Sequence, residues 1–201
     1  MFTAISHRLA GLRARYAEPH RAYHTQAHID AMLTGLQDLG SAVVHRDAVA
    51  LAIWYHDAIY NPAAADNEVR SAALLRAEMA GLADAALLGR SERLVLCTLD
   101  HRIPSGLASD LHQDAALFLD LDMAVLGAGS LVFDAYEHGI AAEYGPVYGH
   151  TRFAAGRAGF LHEMLNRPRL FHSDRFHKRY DEAARGNMQP RAADFFAAQP
   201  G

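Results

Sequence analysis

Apolar residues recur along this chain at spacings of three and four positions, not two, which is the period of helices with one buried face and not of half-buried strands. The pattern predicts a first helix over about 3–16, with Ile5, Leu9, Leu12 and Tyr16 on one face, stopping before Glu18-Pro19. A second is expected over about 25–39, ended by Gly40, and a third over about 47–59, ended by Asn61-Pro62. The third is apolar almost all round from Ala48 to Tyr55 and is therefore expected at the centre. Further helices are expected over about 66–79, 84–101, 110–126, 131–144, 147–165 and 174–185. The fold class is all-α, a helical bundle of about eight or nine helices. No Gly/Ser-rich linker and no fixed-period repeat divides it, so one domain over 1–201 is expected, with its core over about 20–187 and a loosely attached tail after Asn187.

Composition narrows the class of function. With 201 residues, 51% of them hydrophobic and 21% charged, the chain matches globular averages and not those of disordered segments. A net charge of -4 offers no cationic field for gripping a nucleic acid polymer. The lone Cys97 cannot form an internal disulfide, which fits a reducing compartment. Charge at Arg8 interrupts the N-terminus before any signal-like apolar run develops, and no apolar stretch approaches the roughly 20 residues of a membrane span. The expectation is a cytoplasmic protein with no membrane partner. The 13 histidines, against a single lysine, Lys178, are the departure from the ordinary.

Three segments place metal-ligating side chains in apolar surroundings. His56-Asp57 closes the most apolar helix, where an ionised carboxylate is costly unless paired or bound to a cation. Taken alone the dipeptide also reads as a helix end in solvent, with the imidazole near the negative end of the helix dipole. His24 and His28, four apart in Tyr23-His24-Thr25-Gln26-Ala27-His28, share a face where they lead into the second helix. Acids interrupt an apolar helix again at Asp120 and Asp122; two positions apart, they cannot share a face, so at least one is expected in solvent. Imidazole and carboxylate together suit a divalent ion such as Mn, Fe, Co, Ni, Zn or Mg.

A His, a later His-Asp pair and a distal Asp, in this order, resemble the HD superfamily of metal-dependent phosphohydrolases. The chain is most similar to the small bacterial HD proteins described as predicted metal-dependent hydrolases. The likeness rests on Arg21-Ala22-Tyr23-His24 to His28-Ile29, Trp54-Tyr55-His56-Asp57-Ala58-Ile59-Tyr60, Asn67-Glu68-Val69-Arg70-Ser71-Ala72 and Asp120-Leu121-Asp122-Met123-Ala124-Val125-Leu126-Gly127. It continues through Glu143-Tyr144, Gly156-Arg157 and Ala184-Arg185-Gly186-Asn187. The resemblance implies His28, His56, Asp57 and Asp122 as metal ligands, with Asp120 as the alternative distal acid. His24, placed as in the Tyr-His-x-x-x-His string of cyclic-nucleotide phosphodiesterases, would protonate the leaving oxygen. Arg21, together with Arg157, would neutralise substrate charge. Where the subgroup is expected to carry an arginine, this chain has Ala141.

The resemblance implies hydrolysis of a phosphate ester of a small molecule, a nucleotide above all, by a metal-activated water that Asp57 orients. The alternatives are a non-catalytic metal- or nucleotide-binding HD module, or a dinuclear-iron HD oxygenase that would enlist His101 as an extra ligand. The commoner reading of His101 is a helix-terminal residue interacting with the helix dipole. Asn67 and Glu68 read either as a water-positioning pair or as an ordinary helix start. A homodimer is compatible with all of these readings.

Overall fold

The structure is a computed structural model that describes residues 2–197, with side chains over 8–193, so the side chains of Thr3, Ile5 and His7 lie outside the described residues. Eight α-helices follow one another without a strand among those residues: α1 (Phe2–Tyr16), α2 (Gln26–Leu39), α3 (Arg46–Tyr55), α4 (Asn67–Met79), α5 (Ala85–Leu96), α6 (Ser109–Met123), α7 (Ser130–Asn166) and α8 (Asp174–Ala197). The all-α expectation holds. Short 3-10 turns at Gly40–Ala42, Cys97–Leu99 and Ala124–Gly127 finish α2, α5 and α6. The chain forms two compact units, Met1–Leu121 and Asp122–Gly201, and the division falls inside α6, two residues before its end.

In the first unit α3 is the central helix, as its all-round apolar sequence requires. Ala48, Val49, Leu51, Ala52 and Ile53 are fully buried, and α1, α2, α4 and α5 all pack against it. Polar anchors hold its ends. At its start the buried Asp114 of α6 accepts hydrogen bonds from Val44 N at 2.7 Å, His45 N at 2.8 Å and His45 Nδ1 at 2.8 Å. Near its end Tyr16 Oη donates to the Trp54 carbonyl at 2.9 Å, which ties α1 to α3. The tip of the Leu121 side chain on α6 lies against α2 at Gly35, where an added Cβ would overlap it. That approach lies two turns beyond His28 on α2 and immediately before Asp122 on α6.

The second unit is built on α7 and α8, with Phe133, Leu161, Met164, Ala184 and Met188 in its core. One expectation is refined and one corrected here. The two helices expected over 131–144 and 147–165 follow each other directly within Ser130–Asn166, and the break between them falls at Gly149, whose backbone sits at φ 72 and ψ 161. Pro146 lacks the N–H that the ladder needs, and Gly149 takes a conformation nearly closed to other residues, so the helix is broken without a loop. The expected loose tail is helix as well. α8 runs to Ala197, Met188 and Ala192 are buried, and Asn187 Nδ2 donates to the carbonyls of Leu126 and Ala128, each at 2.9 Å.

The break separates two kinds of glycine on one helix. A Cβ at Gly149 meets nothing within 4 Å, so only backbone strain opposes it, and Gly149→Ala is expected to lower unfolding free energy by about 1–3 kcal/mol. Gly156→Ala, on the same helix at ordinary dihedrals, is expected to raise it by about 0.4–1 kcal/mol. Urea denaturation of the two variants beside the parent checks the pair.

Candidate metal centre

The expected third helix extended through His56 and Asp57 to about residue 59, but α3 stops at Tyr55. The cause is that side chains from elsewhere, and not the helical ladder, satisfy the backbone of 57–61. Arg21 Nη1 donates to the Asp57 carbonyl at 2.8 Å and Nη2 to that of Ala58 at 3.3 Å. Ser71 Oγ accepts from Ile59 N at 3.0 Å and donates to the Ile59 carbonyl at 3.3 Å. Asn67 completes the set, accepting from Asn61 N at 3.0 Å and donating to the Asn61 carbonyl at 2.9 Å. The first turns of α4 thus act as a clasp on the turn that carries His56 and Asp57. Of the two readings of Asn67, as a water-positioning residue or as an ordinary helix start, its amide serves a third purpose, closing the loop.

His56 is held in one orientation. Its Nδ1 lies 3.0 Å from the Ile53 carbonyl, which can only accept, so Nδ1 carries a proton and Nε2 is turned toward the neighbouring side chains. Facing Nε2 are Asp57 Oδ2 at 3.0 Å and His28 Nε2 at 3.3 Å. His28 is oriented in turn by Tyr23, whose Oη lies 3.2 Å from its Nδ1. Nitrogen and carboxylate oxygen atoms able to bind a proton or a cation therefore converge beside His56. Two nitrogens bound to one zinc-like ion at about 2.1 Å in tetrahedral geometry stand about 3.4 Å apart, close to the spacing seen. His28, His56 and Asp122 form a group whose ligand atoms all lie within 4.8 Å of one another and which could hold a metal ion. Asp122 belongs to the last turn of α6, a helix continuous with the first unit.

The structure therefore brings together three of the four expected ligands as one group and sets the fourth, Asp57, against His56. Asp120 is almost wholly buried and Asp122 only half-buried, so the two acids differ in exposure as their spacing leads one to expect. His24 is half-buried one turn before His28, its ring 6.3 Å from that of His28 and 4.4 Å from that of Tyr60. His101 occupies the turn after α5 with a positive φ of 50, while Glu68 is half-buried in the first turn of α4.

The arginines need correction. Arg21, expected to face substrate, has a side chain with no exposed surface, and its donors serve Glu18 and three backbone carbonyls. Arg157, within the second unit, forms a buried ion pair with Glu137 and lies over the rings of Tyr136 and Phe160. Tyr23 and Ser71 are the contributors that residue spacing did not single out. The one available signal was position: Tyr23 adjoins His24, and Ser71 lies one helical turn past Asn67.

Among the described residues no single helix is long and apolar enough to cross a membrane. Family models, curated proteins and solved structures give no match to this chain. The geometry makes its own prediction about the acids. Asp122→Ala and His28→Ala are expected to lose bound Zn or Mn, measured by elemental analysis after equilibration and desalting, whereas Asp120→Asn retains it. Metal loss in Asp120→Asn with retention in Asp122→Ala would transfer the ligand role to the other acid.

Proposed function

We propose that this chain is a metal-dependent phosphohydrolase of the HD type, acting on a phosphate ester of a small molecule such as a nucleotide. One observation carries the reading. Imidazole nitrogens from α2 and from the turn after α3 converge with a carboxylate of α6, in the order in which HD proteins place their ligands. A divalent ion held by His28, His56 and Asp122 supplies Lewis acidity toward a phosphoryl oxygen and makes water a better nucleophile.

The remaining work belongs to the chain. Asp57, with 17% of its side chain exposed, reaches solvent while touching His56, so its carboxylate can orient an attacking water. His24 lines the same region one turn back from His28 and donates a proton to the leaving oxygen. Tyr60, with its ring against His24, fixes the imidazole without removing its proton. Arg21 and Arg157, committed to carbonyls and to Glu137, are not assigned to substrate.

The test has two parts. Purified protein is screened against nucleotides and other phosphate esters with added Mn, Co, Ni, Zn or Mg. Full metal occupancy without turnover of any of them would favour a binding module over an enzyme. Where turnover is found, His24→Ala is expected to keep its metal and lose roughly 10²–10⁴-fold in rate on an alkyl phosphate. A nitrophenyl phosphate, whose leaving oxygen scarcely needs a proton, should be affected far less. Equal losses on the two substrates would assign His24 to phosphate binding.

A further inference from the structure

We infer that Arg21 is a positioning residue, a buried guanidinium clamp that sets the distance between the His28 and His56 imidazoles before any substrate arrives. The inference rests on reading His28, His56 and Asp122 as a metal site, and it adds a determinant of that site that is not itself a ligand.

The guanidinium joins two segments that are remote in sequence. Nη1 donates both to the His24 carbonyl at 3.0 Å and to the Asp57 carbonyl at 2.8 Å, and Nη2 reaches the Ala58 carbonyl at 3.3 Å. His24 precedes His28 by one turn, and Asp57 is bonded to His56. A single planar group therefore spans the segment leading into α2 and the turn after α3, one residue from His56 on one side and four residues from His28 on the other. The group itself has little freedom. Nε donates to Glu18 Oε2 at 3.1 Å, and the cation lies 5.1 Å from the Tyr16 ring centre and 5.2 Å from that of Tyr60. Its burial rules out the role of a substrate clamp, since a side chain with 0% exposure has no edge to offer a phosphate.

Geometry distinguishes this residue from a simple buried cation. Three carbonyls in fixed directions match a rigid fork of donors; lysine offers the same charge as a point with a tetrahedral fan and cannot reach all three at once. Outer partners that orient metal ligands typically alter affinity by roughly 10–100-fold when removed. Arg21 meets that description through the backbone.

Cobalt serves as the probe, because its visible absorption reports the geometry of its ligands and is independent of turnover. Arg21→Lys is expected to bind Co²⁺ roughly 10–100-fold more weakly than the parent and with altered visible bands, at unchanged helical circular dichroism. Glu18→Gln, which weakens one of the guanidinium's anchors, should shift affinity in the same direction by less, and it keeps the test open should Arg21→Lys fail to fold. Tyr55→Phe is the control: it removes the 2.9 Å hydrogen bond from Tyr55 Oη on α3 to Glu78 on α4, outside the clamp, and should leave the cobalt spectrum as it is. Parental affinity and spectrum in Arg21→Lys, or in Glu18→Gln if the former does not fold, would overturn the clamp. A change in Tyr55→Phe as large as that in Arg21→Lys would also overturn it, by tracing the effect to stability alone. Should the parent itself take up no Co²⁺, the metal reading fails and the clamp falls with it, a result distinct from a normal site in the variants.

Discussion

Lone pairs do not gather in a protein interior unless something forces them together. His56 Nε2 faces a carboxylate oxygen and a second imidazole nitrogen at hydrogen-bond range, a gathering that only a shared proton or a metal ion makes favourable. An arrangement of this kind survives only if the backbone beneath it cannot relax. Much of the first unit can be understood as meeting that demand: α3 is buried on all sides, Asp114 fixes its start, and Arg21, Ser71 and Asn67 fix the turn that follows it. The apolar core supplies bulk stability, while polar groups deliver the directional constraint that hydrophobic packing lacks.

The same account explains which features could be read from the residues in advance. Helix existence was legible, because a period of 3.6 is printed on α2, α3 and α6 by their own side chains. His28, His56 and Asp122 were named as a set through the likeness to HD proteins, whereas residue spacing alone left the choice between Asp120 and Asp122 open. The stopping point of α3 was not legible. Asn61-Pro62 is a strong local signal, yet the helix ends six residues earlier because Arg21, Ser71 and Asn67 outbid the ladder for the backbone of 57–61. Those partners are local to nothing in the segment they hold. Spacing alone separated Asp120 from Asp122 without saying which is enclosed; it is Asp120 that lies inside, while Asp122 stays partly open.

Arginine shows how residue identity can be read correctly and its role missed. Arg21 and Arg157 were both singled out as cations suited to phosphate. Each is instead buried against a glutamate and between or over aromatic rings. A guanidinium is the cation that best tolerates such surroundings, being weakly hydrated, planar and able to stack. A buried ion pair adds little net stability, but it penalises any arrangement in which its partners are displaced. The fold therefore uses these arginines to select one geometry rather than to deepen its energy minimum, and the family likeness in their positions says nothing of which purpose they serve.

The break at Gly149 bears on how the second unit could change length in evolution. In an unbroken helix one inserted residue turns everything beyond it by about 100°, carrying a buried face out into solvent. Here the two stretches of α7 meet at a residue that is itself outside helical geometry, so rotational phase is not handed rigidly from one to the other. Residues 146–152 are exposed throughout, so an added or lost residue there displaces no buried side chain. The junction works as a phase insulator. Length variation is therefore most readily absorbed between Pro146 and Arg152, leaving the faces that bury Phe133 and Leu161 each in its own register.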